Sequence, residues 1–223
     1  MTKFDEKGDK EILDYIEEFH DDNAFAIAEL FRRGHSVEEI AAITKITPFF
    51  LESFKKITDM EASLKKASGD AALLAEAKKM GFSDKFIARL WGVSELDVVA
   101  ARKAAGIIPV FRMVDTAHVG AYTPYFYSSF TGENESRLSE GKKKVIVLGA
   151  GPIRIGQGVE FDYSTVHAVN TIRRCGYEAI IINNNPETVS TDYTTSDKLY
   201  FEPLTTEDVM NVIDFEQIGR AHV

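Results

Sequence analysis

The stretch "KKVIVLGAGPIRIGQGVEFDY", residues 143–163, decides the fold of the second half of the chain. It opens with a short continuous apolar run, which is typical of a strand buried on both faces of a parallel sheet. A glycine loop follows, with Gly149, Gly151, Gly156 and Gly158 inside ten residues. A strand that enters such a loop predicts an α/β fold. Three roles are open for this loop: it binds a dinucleotide, it binds another phosphate group, or it binds neither.

Residues 141–217 continue the alternation of strand and helix. Helical spacing in "DYSTVHAVNTIRRCG" is followed by a second apolar run in "YEAIIINNN", a third short run in "KLYFEP" and a helix in "TTEDVMNVIDF". Connections of this βαβ kind place parallel strands side by side. We therefore expect a Rossmann-like parallel sheet in this part of the chain.

The glycine loop fits neither of the two common nucleotide motifs. A dinucleotide loop needs Gly-x-Gly-x-x-Gly and an acid at the end of the second strand, but Arg154 takes the third glycine position and that strand ends in Asn183, Asn184 and Asn185. No Gly-Lys-Ser/Thr follows, so a P-loop is excluded as well. The glycines either serve close packing alone or form part of a ligand site at the carboxyl edge of the sheet. The polar residues expected at that edge are Glu160, Asp162, Asn183, Asn185, Glu187, Thr188, Ser190 and Asp192.

Residues 1–106 read as one helix after another and contain an internal repeat. "GHSVEEIAAITKITPFFLESFK" aligns without a gap to "GFSDKFIARLWGVSELDVVAAR", 47 residues further on. Each copy predicts a short helix, a tight turn and a second helix that starts at a hydroxyl cap. Two such copies can bury each other's apolar faces.

Helix–turn–helix pairs also bind DNA, but the charges oppose that function here. Residues 1–106 hold 16 Lys and Arg against 20 Asp and Glu, a net charge of −4. Glu95 and Asp97 stand at the start of the last helix, where a recognition helix would meet the bases. The alternative interpretation is a standalone regulator with helix–turn–helix pairs and a ligand-sensing α/β domain, and salt-dependent retention of DNA would distinguish it.

Composition points to an ordinary soluble protein of a reducing compartment. The net charge of −9 argues against nucleic acid as a partner, and one cysteine, Cys175, allows no internal disulfide. The sequence contains no apolar run long enough for a membrane span and no secretory signal, so a cytoplasmic location is expected. The five histidines are scattered, and no metal site is predicted.

Residues 107–140 are rich in Tyr and Phe and are predicted to form an ordered aromatic connector that ends in a polar linker.

Five stretches of the sequence carry a resemblance to a known family. "VLGAGPIRIGQGVEFDYSTVHA" and "NNNPETVSTDYTTSDKLYFEP" resemble the start of the second synthetase half of the carbamoyl-phosphate synthase large chain. "RRGHSVEEIAAITKITPFFLESFKKI" and "GFSDKFIARLWGVSE" resemble the helical oligomerisation domain of that family, and "IPVFRMVDT" resembles its exit. The resemblance implies an α + α/β chain. Its parts are a helical oligomerisation domain over 1–106, the connector over 107–140 and an incomplete pre-ATP-grasp subdomain over 141–217.

The resemblance also implies a reaction and its partners. Such enzymes make carbamoyl phosphate from bicarbonate, ammonia released by a glutaminase small subunit, and two ATP, with magnesium. The intermediates pass through an internal tunnel between two ATP-grasp halves. By motif match, Arg154, Glu160 and Glu187 line that tunnel, where they steer carbamate; the alternative is a buried ion-pair network that ties loop to strand.

The same resemblance implies that catalysis belongs to a longer chain. The nucleotide-binding part of an ATP-grasp lies beyond residue 217 in this family, so we expect no catalytic residue, no bound cofactor and no turnover from these residues alone. Homo-oligomer contacts are expected through the helical domain. The last residues, "IGRAHV" at 218–223, resemble neither the family nor a continuation of the helix after "NVIDFEQ", and they are predicted to be a non-native tail.

Overall fold

The protein is described by a computed structural model that covers residues 3–114, 120–149, 151, 158–186, 188–192 and 194–219, with the backbone alone for residues 158–161. The chain divides into two compact units, Met1–Arg102 and Lys103–Val223. The first is helical, and the second is built on a mostly parallel sheet. The predicted α + α/β class is confirmed.

The first unit is a succession of seven helices over its described residues. They are α1 (Asp9–Ile16), α2 (Asn23–Arg32), α3 (Val37–Thr44), α4 (Pro48–Lys66), α5 (Ala71–Lys79), α6 (Asp84–Trp91) and α7 (Glu95–Ala104). Pro48 occupies the first position of α4, where its missing N–H leaves no helical bond unmade.

The 47-residue repeat is reproduced in three dimensions and extends over three helices. α2, α3 and α4 correspond to α5, α6 and α7. The Ser36 and Ser83 hydroxyls cap α3 and α6, and each accepts the N–H three residues on at 3.1 Å. Both short helices end in a left-handed residue, Lys45 with φ 59° and Gly92 with φ 70°. The shared caps explain why both copies turn at the same place.

The second copy replaces apolar residues of the first with a buried ion cluster. Positions 31 and 37 are Phe and Val in the first copy, and their equivalents are Lys78 and Asp84. The Asp84 carboxylate lies 2.9 Å from Lys78 Nζ and 3.0 Å from Arg102 Nε. All three residues are buried. Both cations share the Asp84 carboxylate, so removal of Asp84 would leave two buried positive charges without it.

The second unit is organised around a five-stranded sheet. Its strands are β1 (Val110–Met113), β2 (Tyr125–Ser129), β3 (Lys144–Leu148), β4 (Glu178–Ile182) and β5 (Lys198–Tyr200), in the order β1-β2-β5-β4-β3. Only β1 is antiparallel to its neighbour. Two helices, α8 (Gly158–Arg174) and α9 (Thr206–Glu216), complete the unit as far as it is described. The strand and helix order predicted over 141–217 is confirmed.

Burial along β4 explains its unbroken apolar sequence. Ile180 and Ile182 pack with Val212 of α9, whereas Ala179 and Ile181 pack with Val169 of α8. Because alternate residues point to opposite faces, a strand covered on both faces needs apolar residues throughout.

The opening strand of the quoted stretch differs from the sequence prediction. β3 was expected to be buried on both faces, but its residues are half-buried and Leu148 is 52% exposed. The reason is its position, because β3 pairs with β4 and with no other strand of the described residues. Apolar composition alone does not distinguish a central strand from an edge strand.

The aromatic residues between the two predicted domains are part of the sheet. β1 and β2 come from residues 107–140, and β2 runs parallel to β5. Phe111 and Phe126 are fully buried and lie 5.0 and 5.4 Å from the Tyr200 ring. The segment is ordered where it is described, as the sequence indicated. Its pairing with a strand some 70 residues later in the chain was not predicted.

Candidate functional site

The carboxyl ends of the parallel strands meet at one edge, as the βαβ order requires. The Gly149 N–H donates to Ile182 O at 2.8 Å, and the Asn183 N–H donates to Tyr200 O at 3.1 Å. On the other side of β5, the Phe201 N–H donates to Phe126 O at 2.7 Å. Ligands of open α/β folds bind at this edge. The predicted ligand edge is therefore formed by the residues that follow β3, β4, β5 and β2.

Gly149 lets the side chain of Asn183 lie against the backbone. A Cβ at position 149 would be 2.5 Å from Asn183 Cγ and 2.7 Å from its Nδ2, which is too close for any real contact. Gly151 has φ 73°, a left-handed conformation that favours glycine. The close approach of Asn183 therefore explains the glycine at position 149, and the left-handed backbone explains the glycine at position 151.

The Asn183 side chain carries an acceptor that the described residues leave unused. Asn183 is 1% exposed, and its Oδ1 has no hydrogen-bond partner among them. Leaving a buried acceptor without a partner costs about 1–3 kcal/mol. Of the residues predicted for this edge, Asn183 has the feature that most directly indicates an interaction with another group.

The predicted residues after β4 form a hydrogen-bonded turn. Ser190 is fully buried, and its N–H donates to Asp162 Oδ2 at 2.7 Å, which joins a short 3-10 helix (Val189–Thr191) to α8. The Thr188 and Ser190 hydroxyls lie 3.1 Å apart. Asp192 is exposed and Asn185 is half-buried. These internal bonds hold the turn against the start of α8.

The predicted tunnel residues fall outside the described part of the structure. Arg154, Gly156 and Glu187 are not described, and Glu160 is described in its backbone alone, in the first turn of α8. Gly158 is the first residue of α8. Steering of carbamate by the three charged groups, and the alternative of an ion-pair network, both stay predictions.

Glu202 is a residue of this edge that sequence reasoning missed. It is 3% exposed and accepts hydrogen bonds from the Ser128 N–H and, at 2.9 Å, from the Ser128 hydroxyl. Burial, together with the charges of Asp208 and Glu207, raises the pKa of Glu202 to about 7 despite the hydrogen bonds from Ser128. An acid two residues after a buried apolar strand was the available signal.

The opposite edge of the sheet holds a second cluster of charges. Glu216 accepts from Lys144 Nζ at 2.6 Å, from Lys198 Nζ at 2.8 Å and from the Tyr200 hydroxyl. Burial raises the pKa of Glu216, but these hydrogen bonds outweigh it and leave the pKa below its ordinary value. An open cavity of about 730 Å³ adjoins this edge. The cluster joins α9 to β3 and β5, because Glu216 of α9 bonds to Lys144 of β3 and to Lys198 and Tyr200 of β5.

Two further features concern membranes and metals. Among the described residues, no helix combines the length and the apolar composition that a membrane crossing requires. Within the same residues, no group of three or more His, Cys, Asp or Glu side chains is placed to hold a metal ion.

A helical repeat followed by a mostly parallel, Rossmann-like sheet defines a protein of the α + α/β class. Comparison with family models makes this specific. Residues 1–106 match the carbamoyl-phosphate synthetase large chain oligomerisation domain, and residues 141–222 match the carbamoyl phosphate synthase preATP-grasp domain. The two models leave only residues 107–140 and Val223 unmatched, so the match runs into residues 218–222, for which the sequence analysis expected no resemblance. The chain belongs to the carbamoyl-phosphate synthase large-chain family.

Proposed function

We propose that this chain forms part of the large subunit of a glutamine-dependent carbamoyl-phosphate synthase, an ATP-dependent ligase. The observation that carries the proposal is the presence of two domains of that large chain, in one sequence. The product would be carbamoyl phosphate, which feeds pyrimidine and arginine synthesis. The ammonia would come from a glutaminase small subunit.

The chain contributes contacts and part of a path for the intermediates rather than the phosphoryl-transfer chemistry itself. The helical unit supplies subunit contacts, as its family model indicates. The carboxyl edge, with Arg154, Glu160 and Glu187, forms one end of the carbamate path. Two observations support this assignment: Asn183 Oδ1 is unpartnered among the described residues, and the edge lies where α/β folds hold ligands.

Magnesium and ATP are assigned to other parts of the full enzyme. Within the described residues, no group of three or more His, Cys, Asp or Glu side chains is placed to hold a metal ion, and the sequence of the glycine loop lacks the lysine of a P-loop. Bound MgATP supplies the phosphoryl group. The residues of this chain guide an anion and exclude water around it.

Segment exchange tests the proposal. Residues 1–217 replace the matching segment of an active carbamoyl-phosphate synthase large chain, and carbamoyl phosphate formation is measured together with ATP hydrolysis. We expect the chimera to make carbamoyl phosphate. Arg154→Ala in the chimera should lower the carbamoyl phosphate formed per ATP hydrolysed, because the intermediate would be lost on its way.

Two controls make the exchange decisive. Arg174→Ala changes a guanidinium at the far end of α8 and should leave the ratio unchanged. A folded chimera without product formation would overturn the proposed function. An active chimera whose product-to-ATP ratio is insensitive to Arg154→Ala would leave the function standing and remove Arg154 from the carbamate path.

A further inference from the structure

A second, smaller cavity opens at the edge of the sheet that holds the Glu216 cluster. It has a volume of about 430 Å³, and its lining includes Glu178 and Lys198, the first residues of β4 and β5. Ser139 and Lys142, from the chain before β3, line it as well. We call it the amino-edge cavity. Its volume is within the range of small-molecule sites, about 300–1,000 Å³.

Glu178 brings a buried carboxylate to the amino-edge cavity, and one oxygen of that carboxylate is unused. Glu178 is 4% exposed. Its Oε1 accepts the Ser139 hydroxyl at 2.6 Å, whereas its Oε2 has no hydrogen-bond partner among the described residues. A buried acceptor without a donor is costly, and more so when it carries charge. The unused Oε2 therefore indicates a donor that the described residues do not supply.

Lys198 does not fill this role, because it is bonded to another carboxylate. Lys198 Nζ donates to Glu216 at 2.8 Å and to the Arg137 carbonyl at 2.6 Å, and it lies 3.7 Å from Glu178 Oε1. Lys144 also bonds to Glu216. Two lysines thus converge on Glu216, whereas Glu178 has a hydroxyl donor and a more distant cation. A positively charged donor from a ligand would complete the bonding of Glu178.

The same cavity is lined by two cations that no carboxylate neutralises. Arg137 and Lys142 are exposed, and neither forms an ion pair with any described residue. The Arg137 guanidinium lies over the Tyr122 ring, 4.7 Å from its centroid, and stacking of this kind leaves the guanidinium N–H groups available to an anion. Because Lys198 Nζ contacts both Arg137 and Glu178, these two residues are neighbours. A small ligand can therefore reach the unused acceptor and an unpaired cation at once.

We propose that the amino-edge cavity binds a small zwitterion, a molecule that carries an ammonium group and, a few bonds away, a carboxylate or phosphate group. The ammonium group donates to Glu178 Oε2, and the anionic group binds Arg137 and Lys142. Two further carboxylates, Glu140 and Asp197, line the cavity, so charges of both signs face the ligand, as recognition of a zwitterion requires. The cavity lies at the end of the sheet opposite the proposed carbamate path, and the inference does not depend on that path.

Nuclear magnetic resonance titration of the whole 223-residue chain tests the site, with the backbone amides of Ser139, Lys142 and Glu178 as reporters. The zwitterionic probes are glycine, γ-aminobutyrate and phosphoethanolamine, which distinguish a carboxylate from a phosphate as the anionic group. Methylammonium and acetate each present one half of a zwitterion. We expect saturable shifts with at least one zwitterion, and binding at least about tenfold weaker for either half alone.

Two variants test the two ends of the site. Glu178→Gln removes the acceptor charge and should weaken zwitterion binding at least about tenfold. Arg137→Ala should weaken zwitterion binding as well but leave the weaker binding of methylammonium within about twofold, a selectivity that a general loss of structure would not produce. Glu133→Gln is the control, because Glu133 is an exposed carboxylate outside the cavity lining, and it should leave each dissociation constant within about twofold.

Three results would overturn the proposal. The first is the absence of saturable shifts with all three zwitterions. The second is methylammonium binding as tight as that of the zwitterions, which would mean that no anionic group is recognised. The third is zwitterion binding that Glu178→Gln leaves unchanged, which would mean that the unused Oε2 takes no part.

Discussion

Gly149 and Asn183 meet at the carboxyl edge, where the absence of one Cβ decides the position of an amide. Gly149→Ala places a methyl group 2.5 Å from Asn183 Cγ, and one of the two residues has to move. We expect a loss of roughly 2 kcal/mol in the stability of the second unit, the usual cost of overpacking. Hydrogen exchange at the β4 amides measures this loss of stability. Gly219→Ala is the control, since a Cβ there meets no atom within 4 Å.

A double-mutant cycle tests whether the cost comes from this contact. Asn183→Gly removes the side chain that the new methyl group would meet. The double variant Gly149→Ala, Asn183→Gly should therefore lose less stability than the two single variants added together. Strict additivity would show that the effect of the methyl group does not pass through Asn183.

Glu202 should make the stability of the second unit depend on pH. Its pKa is raised from 4.5 to about 7, so the folded state holds the proton more tightly than the unfolded chain does. The contribution of Glu202 is then fully present below pH 4.5 and is lost as the pH rises through about 7. Glu202→Gln should remove this loss, so the variant gains about 3 kcal/mol in stability relative to the native chain between pH 4.5 and pH 8.

Urea unfolding of the second unit across that pH range measures the difference between Glu202→Gln and the native chain. Glu133→Gln serves as the control, because Glu133 is an exposed carboxylate of the same unit. Equal pH dependence in the native chain and in Glu202→Gln would contradict an elevated pKa for Glu202.

At the scale of elements, the two copies of the helical repeat share their serine caps, but the second copy has buried charged residues where the first has apolar ones. Asp84→Ala leaves Lys78 and Arg102 buried without the carboxylate that joins them. We expect a loss of about 3–5 kcal/mol, as when one partner of a buried ion pair is removed. Fluorescence of Trp91, the one tryptophan in the sequence, follows the unfolding of this unit in urea.

A compensating variant separates charge from volume. Lys78→Phe and Asp84→Val copy the apolar residues of the first repeat, and Arg102→Leu removes the third charge. This triple variant should recover most of the stability that Asp84→Ala loses, because no buried charge is left unmatched. A triple variant as unstable as Asp84→Ala would mean that the lost stability does not come from unmatched charge.

At the scale of the whole molecule, the chain by itself should not make carbamoyl phosphate. Ammonium bicarbonate solutions supply carbamate, and phosphate release from MgATP is then measured with the purified chain. We expect no release above that of a sample without protein, because the sequence of the glycine loop lacks the lysine that holds ATP phosphates in a P-loop. Carbamate-dependent turnover would refute this expectation and would place nucleotide chemistry within the chain.

The sequence by itself determined the features that depend on local order. Hydrophobic periodicity, hydroxyl caps and the 47-residue repeat predicted the helices of the first unit, and apolar runs separated by a helix predicted β3, α8 and β4. The family motifs were equally local, because each is a continuous stretch. Local order also indicated that Gly149 and Asn183 end neighbouring strands at one edge.

Only the tertiary structure decided which distant residues meet. It joined β2 to β5, placed Ser128 against Glu202, and set Asp84 between Lys78 and Arg102. It also made β3 an edge strand and left Phe49, Phe50 and Ile57 of α4 exposed. The physical reason is that period and propensity act between residues close in the chain, whereas pairing of strands, matching of buried charges and covering of surfaces depend on how the elements pack.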